Sequence, residues 1–288
     1  MTRLTTDMIQ DTVNVSQLDY KLVHSIGMDT LGLAKKAAGT SATDTNPRKY
    51  SAAVVPMTCG LGTISGFSES VDATLKNLGM RSSITSGTDV VGMTEAIESD
   101  ADIVFMADDE QFIALNVRMH KYVDNTESTA RGYVAALEAA NGSLQDKTVL
   151  VIGCGRVGSI AIGLLSDLCA RVCAVDICYE KAMQLREVHC GLQIYSDTET
   201  AVRGNRLIVN CSPAPIPGEW IMEGSIISSP GVPYSFDREG ERKAKIIHDP
   251  LSIGVSVMAV MSMSLSQDSD ARMEEIVFAG EGTDEKAM

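Results

Sequence analysis

The chain has 288 residues, 44% of them hydrophobic, and a formal net charge of −14. That length favours two domains over one, and that charge argues against a nucleic-acid partner, whose phosphates need a basic face. No apolar run approaches the roughly 18 residues of a membrane span, and the opening MTRLTTDMIQ lacks the basic and apolar blocks of a secretory signal, so a cytoplasmic protein with no membrane contact is expected.

Seven cysteines form an odd set without a CxxC pair, which reads as reduced, mostly buried thiols. The four histidines show neither HxxxH nor HExxH spacing, so no metal site is expected.

Residues 5–24 carry apolar side chains at Met8, Ile9, Val13, Val15, Leu18, Leu22 and Val23 behind capping Thr and Asp, and are predicted as one amphipathic helix. A short helical stretch, MDTLGLAKKAA, precedes the polar loop GTSATDTNPRK. From Ser51 the texture changes. SAAVVPM, RSSITS and ADIVFMA read as buried strands, with SESVDATLKNLG and DVVGMTEAIES as helices between them, an alternation that implies βαβ units and a parallel sheet.

Two loops in this half stand out. In PMTCGLGTISGFSES, residues 56–70, glycines at 60, 62 and 66 let a ligand approach the backbone, and Ser68, Glu69 and Ser70 offer polar contacts; the same residues also read as a turn and a helix cap. In VFMADDEQFIALN, Asp108 and Asp109 end a buried strand. Paired carboxylates there bind an ammonium, or one acts as acid or base if burial and its neighbour raise its pKa. The competing reading has one of them capping a helix EQFIALN. STARGYVAALEAANG is a connecting helix, and the domain boundary falls near Leu144 to Lys147.

From Thr148 the alternation starts afresh with TVLVIG, RVCAVD, LQIY, RLIVNC, GSIISSPG and AKIIHD. The segment TVLVIGCGRVG runs from a strand through Gly153, Cys154, Gly155, Arg156, Val157 and Gly158 into a helix, the context that makes GxGxxG a dinucleotide fingerprint. The glycines allow a tight turn, backbone contact with pyrophosphate and close helix–strand packing. Asp176, ending the next strand, lies where a carboxylate accepts from the adenosine ribose, which selects NAD over NADP; Arg171 leaves a 2′-phosphate as the alternative. Cys211, Ser212, Pro213, Pro230 and Gly231 follow later strands and are expected beside the nicotinamide half, or else simply make turns.

The expected fold is therefore α/β, with an N-terminal α/β substrate domain over 1–145 and a C-terminal Rossmann NAD-binding domain over 146–250. A helix over 251–267 packs back between the domains, and 268–288, with seven acidic residues against one Arg and one Lys, forms a frayed tail.

FSES, MADD, FIALN, SPGVP and PLSIG, in this order around the fingerprint, resemble the PylD family of pyrrolysine-biosynthesis dehydrogenases from about residue 4 to 262. The loop at 39–50 is longer than in that family and the acidic tail is additional. The resemblance implies NAD-dependent oxidation of the terminal amine of 3-methyl-D-ornithyl-Nε-L-lysine to an imine, then closure of the pyrroline ring with loss of ammonia. It implies Asp108 as the catalytic proton carrier, with Leu4, Ser68, Glu69, Asp109 and Asn116 toward a dipeptide-like amine substrate and Leu4 on a helix that closes over the site. A homodimer is the default assembly for such an enzyme. The alternative is another NAD-linked two-domain dehydrogenase acting on an amino acid or shikimate-like acid, although such sites need basic residues and these loops carry Asp, Glu and Ser. A third reading is a non-enzymatic NAD sensor.

Overall fold

The structure is a computed structural model that describes residues 4–10, 15–40 and 45–265. The expected acidic tail lies outside the described residues, as does part of the loop at 39–50. Among the described residues no helix is long and apolar enough to cross a membrane.

The helix expected over 5–24 is observed as α1 (Thr6–Gln10) and α2 (Val15–Ile26), with residues 11–14 outside the description. Leu18, Leu22 and Ile26 recur every fourth position and bury one stripe of α2. α3 (Thr30–Ala38) is capped by the Asp29 carboxylate and ends on Gly39 in the left-handed region. Next come β1 (Ser51–Val55), α4 (Phe67–Asn77), β2 (Arg81–Ile84), α5 (Asp89–Glu98) and β3 (Ile103–Ala107). β2 is an edge strand with every other residue exposed, so it is half-buried where the sequence reading expected burial.

FIALN is β4 (Phe112–Asn116), paired antiparallel to β3, and the helix EQFIALN is not observed. Phe112, Ala114 and Asn116 are buried and alternate with less buried neighbours, the period of two that marks a strand. β5 (Lys121–Asp124) completes a five-stranded sheet of order β2-β1-β3-β4-β5, parallel over its first three strands. α6 (Asn125–Asn141), capped by Asp124, leads onward.

The second sheet contains β6 (Thr148–Ile152), β7 (Arg171–Val175), β8 (Gln193–Ile194), β9 (Leu207–Asn210), β10 (Ser225–Ser228) and β11 (Ala244–Ile247). Its helices are α7 (Arg156–Asp167), α8 (Tyr179–Val188), α9 (Thr198–Gly204) and α10 (Arg238–Lys243). The six strands are all parallel in the order β11-β10-β9-β6-β7-β8. This is the doubly wound dinucleotide-binding order, with its reversal between β6 and β9, where a crevice opens at the carboxyl ends of the strands.

α11 (Ser252–Met263) is buried nearly all round. It packs against α3, α4, α6 and β4, and its side chains join the core of the first unit. The helix expected to pack back between the domains thus lies mainly in the core of the first unit, with its first turn at the cleft. Asp249, Pro250 and Leu251 ahead of α11 and Gly254 in its first turn line the cleft, and Gly132 of α6 lets Ile253 and Val257 approach closely.

Candidate active site

A cavity of about 480 Å³ lies between the two sheets. From the first unit it is lined by Leu4, Phe67, Ser68, Asp108, Asp109 and Phe112, among others. From the second come Gly155, Arg156, Val157, Gly158, Cys211, Pro213, Pro230 and Gly231.

The three fingerprint glycines divide the work. Gly153 turns the chain at φ 90°, with the Cys211 carbonyl 3.2 Å from where a Cβ would stand. At Gly155 a Cβ would meet nothing within 4 Å, so the backbone is open to a bulky ligand. At Gly158 a Cβ would overlap the Gly153 carbonyl, which seats α7 directly on the turn. Gly155 is the N-cap of α7 and supplies no side-chain acceptor, leaving its first amides available to an anion. Asp176 accepts from the Cys154 amide at 2.6 Å and the Cys178 amide at 2.8 Å, so it braces the loop from the end of β7. These residues fit a dinucleotide: open backbone for its phosphates, a helix N-terminus, and a carboxylate at the ribose end.

Pro213, Pro230 and Gly231 line the cleft. Ser212 lies behind them: its amide donates to the Asn210 side chain at 3.2 Å and its hydroxyl accepts from the Ala214 amide at 3.1 Å. Gly153, Cys154 and Asp176 likewise shape the loop from outside the cavity wall. Burial pushes the Cys154 thiol up to about 12 with help from Asp176, and burial pushes Cys211 higher still, so both are neutral thiols.

In the first unit, Asp108 is exposed at the cavity rim on the β3–β4 turn. Its Oδ1 accepts from the Glu110 and Gln111 amides, both at 2.8 Å. Those amides hold its pKa below the usual carboxylate value, Gln111 most strongly. The expectation that burial raises this pKa is corrected, because the turn that positions Asp108 also stabilises its charge. Asp109 accepts from the Leu61 amide at 2.7 Å and ties down the glycine-rich loop after β1; a Cβ at Gly60 would collide with its carboxylate. The Arg156 guanidinium donates to the Glu110 carbonyl at 3.3 Å, linking the dinucleotide helix to the turn that carries Asp108.

Ser68 lines the cavity from the first turn of α4, whose N-cap is Gly66 with no side-chain cap, so the expected Ser cap is absent. Glu69 is exposed on that turn and does not line the cavity. Asn116 is corrected more firmly. It is 4% exposed at the end of β4 opposite Ile103, away from the Asp108 turn, where its amide donates to the Ser262 carbonyl at 2.9 Å and accepts from the Met119 amide at 3.0 Å. A side chain so placed joins β4 to α11 and cannot touch a ligand in the cleft.

Among the lining residues that the sequence reading does not single out are Asn125 at the start of α6, Tyr133 two turns on, and Asp249 before α11. Asn125 follows a capping Asp at a strand-to-helix junction, a signal that could have found it. Tyr133 and Asp249 sit in apolar stretches and carry none. Among the described residues, the charged side chains that line the cavity are three aspartates and Arg156, with no Lys or His.

Fold and cleft together define a two-unit α/β protein of the dinucleotide-binding Rossmann class. Shikimate dehydrogenase from Aquifex aeolicus superimposes with a TM-score of 0.51 at 14% identity, covering 75% of this chain and 92% of that one. Residues 7–123 match the family described as "Pyrrolysine biosynthesis protein PylD, N-terminal domain". Pyrrolysine synthase from Methanosarcina acetivorans is 32% identical over 81% of this chain and 88% of its own length, and that from Methanosarcina barkeri 28% identical over 88% and 94%. The chain belongs to the pyrrolysine synthase (PylD) family.

Proposed function

We propose that this protein catalyses the NAD-dependent oxidation that ends pyrrolysine biosynthesis. Its substrate on this reading is 3-methyl-D-ornithyl-Nε-L-lysine, whose terminal CH–NH₂ becomes an imine. Attack by the α-amine of the methylornithine part, with loss of ammonia, then closes the pyrroline ring. The observation that carries the reading is the cavity lined at once by Gly155 to Gly158 and by three aspartates without Lys or His. An acidic cleft against a dinucleotide loop suits a cationic amine and repels a hydroxy acid. It disfavours the shikimate-like alternative for that reason.

The nicotinamide supplies a hydride acceptor when bound. Gly155 and the N-terminus of α7 would hold its pyrophosphate, and Asp176 its ribose, where a 2′-phosphate would meet a like charge. Asp108, kept ionised by its turn, pairs with the substrate ammonium at the rim. Leu4, Phe67 and Phe112 exclude water from the apolar part of the chain, and Phe67 and Phe112 meet edge to face at 5.2 Å. Once the imine exists, ring closure is intramolecular and needs only that the chain be folded back within the cavity. Mixing purified protein, NAD and the synthetic substrate should raise NADH absorbance and yield a product of pyrrolysine mass, with NADP turning over more slowly. NADH binding with silence toward this amine, and turnover of a hydroxy acid, would favour the shikimate-like reading instead.

A further inference from the structure

Asp249 is 4% exposed, yet it lines the cavity. Its Oδ1 accepts from the Leu251 amide at 3.0 Å and from the Ser252 amide, opening α11. Its Oδ2 is buried with no hydrogen-bond partner among the described residues. The capping role needs one oxygen only, and an asparagine would fill it without burying a charge. What the carboxylate adds is a second oxygen able to hold a proton. The segment is fixed from α6, where the Tyr133 hydroxyl donates to the Asp249 carbonyl and accepts from its amide at 2.9 Å.

We propose that Asp249 takes the proton from the substrate's ammonium inside the cleft, while Asp108 holds the charge at the rim. The proposal rests on the amine-oxidising reading above. In the step, R–CH₂–NH₃⁺ and the Asp249 carboxylate become R–CH₂–NH₂ and the Asp249 carboxylic acid: an N–H bond breaks, an O–H bond forms at Oδ2, and the nitrogen lone pair is freed. The neutral amine then loses hydride to the oxidised nicotinamide, the co-reactant of the proposed function.

The surroundings support this division. Burial raises the Asp249 pKa against the opposing pull of the Leu251 and Ser252 amides and of His248. His248, on the same segment with Nδ1 2.8 Å from the Ser229 carbonyl, is held below its ordinary value by burial. Tyr133 on α6 and Cys211 after β9 are both pushed up by burial and stay protonated. The other charged groups lining the cavity are Asp108, Asp109 and Arg156. Among the groups lining the cavity, Asp249 is thus the buried carboxyl with an oxygen free to exchange a proton.

The test is the pH profile of kcat/KM for wild type and Asp249→Asn, which keeps the Oδ1 acceptor for α11; dinucleotide binding by both proteins checks folding. Wild type should fall below the Asp249 pKa and be flat above it. The variant should drop about 10²- to 10⁴-fold near neutrality. It should also lose the acid limb and climb roughly tenfold per pH unit, as free amine becomes available below a lysine-like pKa of about 10. Independently of turnover, infrared titration of the cofactor-free wild type should show a protonated carboxyl persisting above the ordinary Asp range, absent from the variant. A variant with the wild-type rate and profile, or a wild type without that infrared band, overturns the proposal alone. A wild type inert toward the amine overturns both it and the proposed function.

Discussion

At Asp108 two backbone amides decide the protonation state. A carboxylate in an Asx turn is ionised at any working pH, which makes it a charge partner for an ammonium and a poor store for a proton. Asp108→Asn keeps an oxygen for the turn and removes the charge, so the fold and NADH affinity should persist. A hydrogen bond to a charged group is worth about 1.5–3 kcal/mol, or roughly a 10- to 150-fold loss in kcat/KM. Steady-state kinetics beside an NADH fluorescence titration separates the two, and near-normal kcat/KM would remove Asp108 from the site.

The element that joins the units is α6. Tyr133 ties it to Asp249 through its hydroxyl, and Ser228 at the end of β10 donates to the Tyr133 carbonyl at 2.6 Å. In Tyr133→Phe the buried Asp249 amide loses its acceptor, a penalty of about 1–3 kcal/mol. The expected result is a lowered denaturation midpoint with an unchanged m-value, and kcat falling with it because the segment bearing Asp249 loosens; unaltered stability would show that the amide finds another partner. This element also shows where sequence reading stops. All six strands of the second sheet were legible because each is an apolar run bounded by turn residues, and the fingerprint was legible because its glycines stand directly after one of them. FIALN was misread, since five apolar-rich residues suit a buried strand or a helix equally and only its pairing with β3 decides. Asp249 was invisible: its burial comes from α6 and α11 closing over it, contacts far apart in the chain. Asn116 was assigned to the substrate from resemblance, while its strand register turns it toward α11.

Across the whole molecule, acid should destabilise the fold. Asp89, Glu95, Asp108, Asp197 and Asp237 all have pKa values lowered by hydrogen bonds, chiefly from backbone amides and, at Asp89, first from the Thr58 hydroxyl. A lowered folded-state pKa gives stability that is present above the unfolded value, near 3.8 for Asp and 4.5 for Glu, and is lost as pH falls through the folded one. His248, buried and lowered from 6.5, refuses a proton that the unfolded chain accepts, so it removes stability as pH drops below 6.5. Asp249, raised, acts the other way and favours the folded state in acid, but it is one group against six. Thermal melts should therefore show Tm falling steeply from pH 5 to 3, where the five carboxylates act together; a Tm that rises over that range would contradict the assignment.

The central claim is that hydride leaves the carbon bearing the terminal amine, in the cleft shared by the two units. The direct measurement is turnover of 3-methyl-D-ornithyl-Nε-L-lysine carrying two deuterons on that carbon, with mass spectrometry of both products. One deuteron should appear in the reduced nicotinamide and the other on the C=N carbon of the pyrroline ring. A product that retains both deuterons, beside an unlabelled reduced cofactor, would place the oxidation elsewhere and contradict the account.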